Sequence, residues 1–561
     1  MSLSPSQKTL NTSKSSSEKK ATPSVEIVVE SSVPANDIDP EDEVTGVRLY
    51  LIHTIICLCT FLVGLNFLLI KTKDFNLLAT AIPRITTQFH SLDDVGWYGA
   101  AFSIALCSCQ PLAGKIYILF PKKLAYILFV SIFEIGNLVC ATAPTSAALI
   151  AGRVVSGIGA SGVFAGGFAI LTTIVPLHKR PIYMGTISST FALASIVGPV
   201  ISGSLTEHVS WRWCFYINPP CGAFAVALLS FLFRVKTVST ERAPLIEKLK
   251  GLDGVGFVLF SGSTTMLLLA LQLGGGSYPW NSSTIVGLFV GFPITLAVFC
   301  WWQLRLQDTA MIPPRIFKSN RNPSLLFVSS ILMSGPFEVI VFWLPIWFQA
   351  ILEISPEQSG IRFLPTVIAD ALTRIIGSGI NLFILLGFAL VSLGPGLITT
   401  IHPGISNGHL IGYQILGGIG YSLCSSLNHI GMQASLPQEL IPLGATILLF
   451  GVSMSGAVFL AIGQAVFESR LTGNLGRVVP ETVVEKVLST GATGLKSVVD
   501  AENLPVVLQA YSESITQVFY IAAAAPVIGF MVLLGARWTR LKKKDAKEET
   551  EKHSDDAVAS V

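Results

Sequence analysis

The chain has 561 residues, of which 51% are hydrophobic and only 13% charged, and a mean hydropathy of +0.64. Soluble domains carry about 25% charged residues, so a deficit spread along most of the chain excludes a large soluble core and predicts an all-α polytopic membrane protein. The formal net charge of +3 gives no footprint for nucleic acid.

Residues 1–47 are rich in Ser, Lys, Glu and Pro without an apolar period, and are expected to form a disordered cytoplasmic tail rather than a cleaved signal peptide. A window of about 19 residues then predicts about fourteen spans. They lie near 48–70, 95–113, 124–143, 147–171, 182–204, 213–233, 252–273, 283–302, 324–347, 359–379, 381–400, 410–430, 440–467 and 517–536. With the N-terminus in the cytoplasm, the inside loops take Lys122-Lys123, Lys179-Arg180, the basic run from Arg234 to Lys250, and Arg305 to Arg321. The outside loops take Asp93-Asp94, Glu353 and Glu357. That is the asymmetry the positive-inside rule asks for. A long outside segment is expected near 469–516, and residues 537–561 form a charged cytoplasmic tail.

Nine cysteines occur, nearly all within apolar segments, in no metal-ligand spacing. No metal cluster, catalytic triad or Gly-x-x-x-x-Gly-Lys-Ser phosphate loop is present, so neither an enzyme nor ATP-driven transport is expected. Asn281-Ser282-Ser283 is a glycosylation sequon on an outside loop; chance and use are both open.

Ionisable residues inside spans are costly and usually line cavities. The candidates are Asp74, Glu134, Arg153, Asp253, Glu338, Arg362, Asp370 and Arg374. Arg153 cannot be deprotonated in practice and needs a carboxylate, carbonyls or water; depth pairs it with Glu134. Glu338 follows Gly335-Pro336, read as a break inside its span, where transporters place binding sites. A kink-side polar residue is the alternative. Asp370 and Arg374, four apart on one face, form a structural pair. Gln349, Phe348, Gln414 and Asn428 are candidates for a substrate cavity, while Trp347 suits a membrane interface. Gly198-Pro199, with Ser202 and Gly203, forms a kinked small-residue surface for close helix packing.

These motifs resemble a known family. Gly198-Pro199 with Gly203 looks like the fifth-helix antiporter motif of the major facilitator superfamily, and Leu149–Ala160, with Arg153, Gly157 and Gly159, resembles its fourth-helix motif. Gly114-Lys115-Ile116-Tyr117 is a weak version of its loop motif. The stretches Ala79–Pro83, Trp211–Asn218, Leu344–Gln349 and Ser359–Pro365 are similar to the fourteen-span drug:proton antiporters of fungi. Departures are Ala194 and Ser202 in place of glycine, an insertion at Asn66–Lys73, and a missing loop near Gly379.

The resemblance implies two six-helix bundles with two extra central helices, occupying 48–536. It also implies a monomer in the plasma membrane that exports small toxic compounds or secondary metabolites by alternating access. No cofactor is needed beyond the proton gradient. Asp74, Glu134, Arg153 and Glu338 become proton-coupling candidates, although Lys71 and Lys73 could hold Asp74 at the membrane edge and Arg153 could serve packing alone. An importer or vacuolar transporter of amino acids or siderophores, and a defective family member, are the alternatives.

Overall fold

The computed structural model describes residues 46–536, apart from 69–84, 86–87, 92–93, 176–178, 234–243, 276–277, 319, 377–383, 481–483, 485–486, 488–498 and 501–502. Asp74, the insertion beyond Leu68, the loop at Gly379 and nearly all of both tails lie outside the described residues.

Among the described residues fourteen helices of 15 residues or more stand where spans were expected. They are α1 (Val47–Leu68), α2 (Val95–Leu119), α3 (Lys122–Thr142), α4 (Ser146–Ile174), α5 (Arg180–His208), α6 (Asn218–Leu232), α7 (Gly254–Leu273), α8 (Ser283–Leu306), α9 (Asn322–Ile351), α10 (Pro356–Ile376), α11 (Ile384–Ile398), α12 (Asn407–Ala434), α13 (Ile441–Leu475) and α14 (Leu504–Leu533). Helices are the expected solution in lipid, because each satisfies its own backbone polar groups. Ten of the described helices are long and apolar enough to cross a membrane. Outside that ten stand α5, α10 with its Glu357, Arg362, Asp370 and Arg374, the short α11, and α12, which is diluted by Gly, Ser and Gln.

Two readings change. First, α9 runs unbroken through Gly335-Pro336 and again through Pro345. Neighbouring helices support a proline-containing span, and here Phe459 of α13 packs directly on Gly335. Second, the segment between the last two spans is shorter than 469–516. α13 extends to Leu475 and α14 begins at Leu504, because Phe467, Leu471 and Leu475 bury against Val507, Tyr511 and Ile515. Hydropathy misses these turns because Glu468, Arg470 and Glu513 dilute them.

Buried apolar side chains form two main cores. One joins α1–α6 and includes Phe102, Phe133 and Phe168; the other joins α9–α14 around Trp343, Trp347 and Phe519. The extra pair α7–α8 shares the first core: the Phe260 ring lies 5.3 Å from Phe299 and 4.9 Å from Phe450 of α13. In its apolar window α4 is 78% buried and α8 only 11%, which makes α4 central and α8 peripheral.

Candidate functional site

Arg153 is fully buried on α4. Its Nε donates to the Tyr98 carbonyl at 2.9 Å; Nη1 donates to the Asn66 carbonyl at 3.1 Å and to Asn66 Oδ1 at 3.0 Å; Nη2 shares that carbonyl at 3.1 Å. The Phe102 ring lies 4.5 Å beneath the guanidinium. The expected pairing with Glu134 is not made. Among the described residues Arg153 is satisfied by carbonyls, because the last turn of α1 reaches it, while Glu134 on α3 is turned toward α6. There the carboxylate lies on Gly222, where an added Cβ would fall 2.1 Å from Oε1, and Oε2 accepts from Asn137 Nδ2 at 3.4 Å.

Helix α5 continues through Gly198-Pro199 to His208. Its small face meets α1: Gly198 packs near Leu65, and Ala194 reaches Gly64. Ala194 is thus accommodated by a glycine on the facing helix. Pro199 and Gly203 lie within the helix.

Glu338 is half-buried near the middle of α9, with its stem against Gly456 of α13. Beside it the Phe337 ring stacks on Tyr421 of α12, with centroids 3.7 Å apart and planes 3° from parallel. Arg374 also stands 5.5 Å from the Tyr421 ring. The predicted pair forms, with Arg374 Nε donating to Asp370 Oδ1 at 2.9 Å and both side chains almost fully buried. Arg374 Nη1 donates to Ser425 Oγ at 3.4 Å. Two carboxylates, one guanidinium and an aromatic stack thus gather in the second half. Tyr421 carried no sequence signal: a tyrosine in a Gly/Ser-rich span gains its role only from what lies opposite.

The cavity candidates are more deeply placed. Phe348 is fully buried, and Gln349 Nε2 donates to the Pro345 carbonyl at 3.3 Å. Asn428 Nδ2 donates to Ser329 Oγ at 3.4 Å. Gln414 Oε1 accepts from Thr366 Oγ1 at 3.2 Å, beside a small cavity that Phe337 also lines. Trp347, expected at an interface, is buried and donates to Ser512 Oγ at 2.8 Å. Asn281 is exposed just before α8, whose N-cap is Ser282.

The two halves meet near the helix ends marked by the basic loops. Thr446 of α13 fits against Gly114 of α2, and Arg374 of α10 against Gly185 of α5. Phe168 of α4 stacks on His429 of α12 at 5.6 Å, and Gln433 Nε2 reaches Met184 Sδ at 3.2 Å.

The sequence matches the family profile described as Major Facilitator Superfamily over residues 56–461. It is 39% identical over 523 residues to the MFS-type efflux pump MFS1 of Arthroderma benhamiae, covering 92% of this chain and 96% of that one. It is 38% identical to the efflux pump roqT of Penicillium rubens (84% and 88% covered) and 34% identical to the efflux pump aflT of Aspergillus parasiticus (90% and 98% covered). The crystal structure of the human organic anion transporter MFSD10 aligns with a TM-score of 0.55 at 14% identity, over 87% of this chain and 100% of that one, a likeness of fold alone. The two cores, the buried charges of α4 and α10 and these matches agree: the chain belongs to the Major Facilitator Superfamily.

Proposed function

We propose that this protein is a fourteen-span, proton-coupled exporter of small toxic compounds or secondary metabolites in the plasma membrane, working by alternating access. The observation that carries the reading is Glu338. It is an ionisable group near the middle of a membrane helix, half-buried beside the Phe337–Tyr421 stack, where charge is tolerated only if it serves a cavity or a partner. The aromatic faces suit apolar cargo. The efflux pumps similar over most of the chain support export. The closed seam near the basic loops supports reading this arrangement as an outward-facing state. Protonation of Glu338 from outside then shifts the population toward the inward-facing state, as differential binding to the two states requires.

The test is extrusion of rhodamine 6G from proteoliposomes under an imposed pH gradient. Acid outside speeds extrusion, a protonophore abolishes the stimulation, and Glu338→Gln lowers it at least tenfold. Dye flux that ignores the gradient overturns proton coupling. Fluorescence microscopy of a tagged chain at the cell rim supports the plasma membrane; vacuolar rings overturn it.

A further inference from the structure

Glu134 is left over by the site described above, and its surroundings contain acceptors with nothing to accept. α3 and α6 pack antiparallel: Lys123 Nζ donates to the Ser230 carbonyl at 2.7 Å at one end, and Arg212 Nη1 to the Ala141 and Ala143 carbonyls at 3.0 and 2.8 Å at the other. Between these ends the Glu134 carboxylate lies on Gly222. One turn further along α3 stands Asn137, and one turn back along α6 stands Asn218. In antiparallel helices those two steps lead to the same level. Both asparagines are fully buried.

Among the described residues these side chains donate as follows. Asn137 Nδ2 serves Glu134 Oε2, and Asn218 Nδ2 serves the carbonyls of Cys214 and Phe215, each at 3.3 Å. Three buried oxygens remain without a partner: Glu134 Oε1, Asn137 Oδ1 and Asn218 Oδ1. A buried acceptor left unpaired is costly, and three of them, one belonging to a carboxylate, are complementary to something that brings positive charge. Divalent ions are held by several oxygens, usually with more than one carboxylate; one carboxylate beside two neutral carboxamide oxygens matches a single positive charge, of the kind that ion-coupled transporters hold. The groups facing Glu134 from the packed elements do not supply that charge. Cys59 of α1 lies within its electrostatic reach, Cys221 borders Gly222 on α6, Arg212 is engaged by the carbonyls at the end of α3, and Arg153 of α4 is taken by Asn66 and Tyr98.

We infer that Glu134, Asn137 and Asn218 form a binding site for one monovalent cation, a hydronium-borne proton or a sodium ion, set between α3 and α6 and apart from the Glu338 cluster. The site names where a coupling ion is held in the first half, and so rests on the reading of the protein as ion-coupled.

The experiment needs no transport substrate. The unfolding midpoint of the purified full-length protein is measured at pH 8 with sodium chloride replacing choline chloride at constant ionic strength, and again in choline chloride from pH 8 to 5.5. A saturable rise in the sodium arm identifies sodium; a rise on acidification identifies the proton; a rise in both identifies a site that takes either. Glu134→Gln abolishes the response or weakens it at least tenfold, while Asn137→Asp, which adds charge without changing shape, strengthens it about tenfold. Two flat arms, or a response unchanged in both variants, overturn the site. Binding that persists while the pH gradient fails to drive dye extrusion disproves the coupling mechanism and leaves the site standing.

Discussion

The guanidinium of Arg153 is held by Asn66, through the carbonyl at 3.1 Å and the side-chain oxygen at 3.0 Å. One buried charge on α4 thereby closes onto the last turn of α1, the turn that leads into residues 69–84. The fork of a guanidinium matches that pair of oxygens and a lysine ammonium does not.

Arg153→Lys therefore lowers rhodamine 6G extrusion at least tenfold while membrane abundance stays within twofold. Asn66→Ala, which keeps the backbone carbonyl, has the smaller effect. Equal extrusion by wild type and Arg153→Lys removes the geometric role.

Gly64 and Ala194 are matched in size. A methyl at Gly64 would lie 2.7 Å from the Ala194 Cβ, and overpacking of this kind costs about 1–3 kcal/mol. Gly64→Ala lowers the unfolding midpoint, and adding Ala194→Gly restores most of it. Additive losses in this double-mutant cycle would deny the contact.

Asp370 and Arg374 neutralise each other on α10, and both are almost fully buried. Removing one partner of such a pair costs about 3–5 kcal/mol, whereas apolar replacement of both is often nearly neutral. Asp370→Leu alone is expected to abolish accumulation of the folded protein. Asp370→Leu with Arg374→Leu recovers it, as read by monodisperse elution in detergent.

Asp253 caps α7 from a left-handed backbone conformation, with φ of 52°. Its carboxylate accepts from the Gly256 and Met311 amides, Trp302 Nε1 and Gln303 Nε2, all within 3.0 Å. Nearby Lys115 Nζ donates to the Ala310 carbonyl at 2.7 Å. This node fastens the extra helical pair to α2. Asp253→Ala leaves those donors without a partner and exposes the 307–314 connection to protease. Asp253→Asn, which tolerates the left-handed backbone and keeps one acceptor oxygen, cleaves more slowly.

Hydropathy alone located the helices, because lipid demands long apolar segments with internally satisfied backbones. It stopped short where amphipathic turns extend past the apolar window, as at Phe467–Leu475 and Val507–Ile515. The Gly335-Pro336 step looked like a break because proline removes a local donor; the unbroken helix depends on packing from α13. The Asp370–Arg374 pair was legible because both ends lie on one helix, four residues apart. Arg153 was legible as a buried charge, while its partner Asn66 was not.

The sequence by itself determined the class of protein, the helix positions and the identity of the buried charges. All of these follow from one-dimensional patterns of hydropathy and charge. Only the tertiary structure decided which charge meets which partner: Arg153 with Asn66 and Tyr98, Glu134 with Asn137 over Gly222, Arg374 beside Tyr421. Those pairings depend on how helices rotate and cross, which small residues such as Gly64, Gly185 and Gly222 set by permitting close approach from helices distant in the chain.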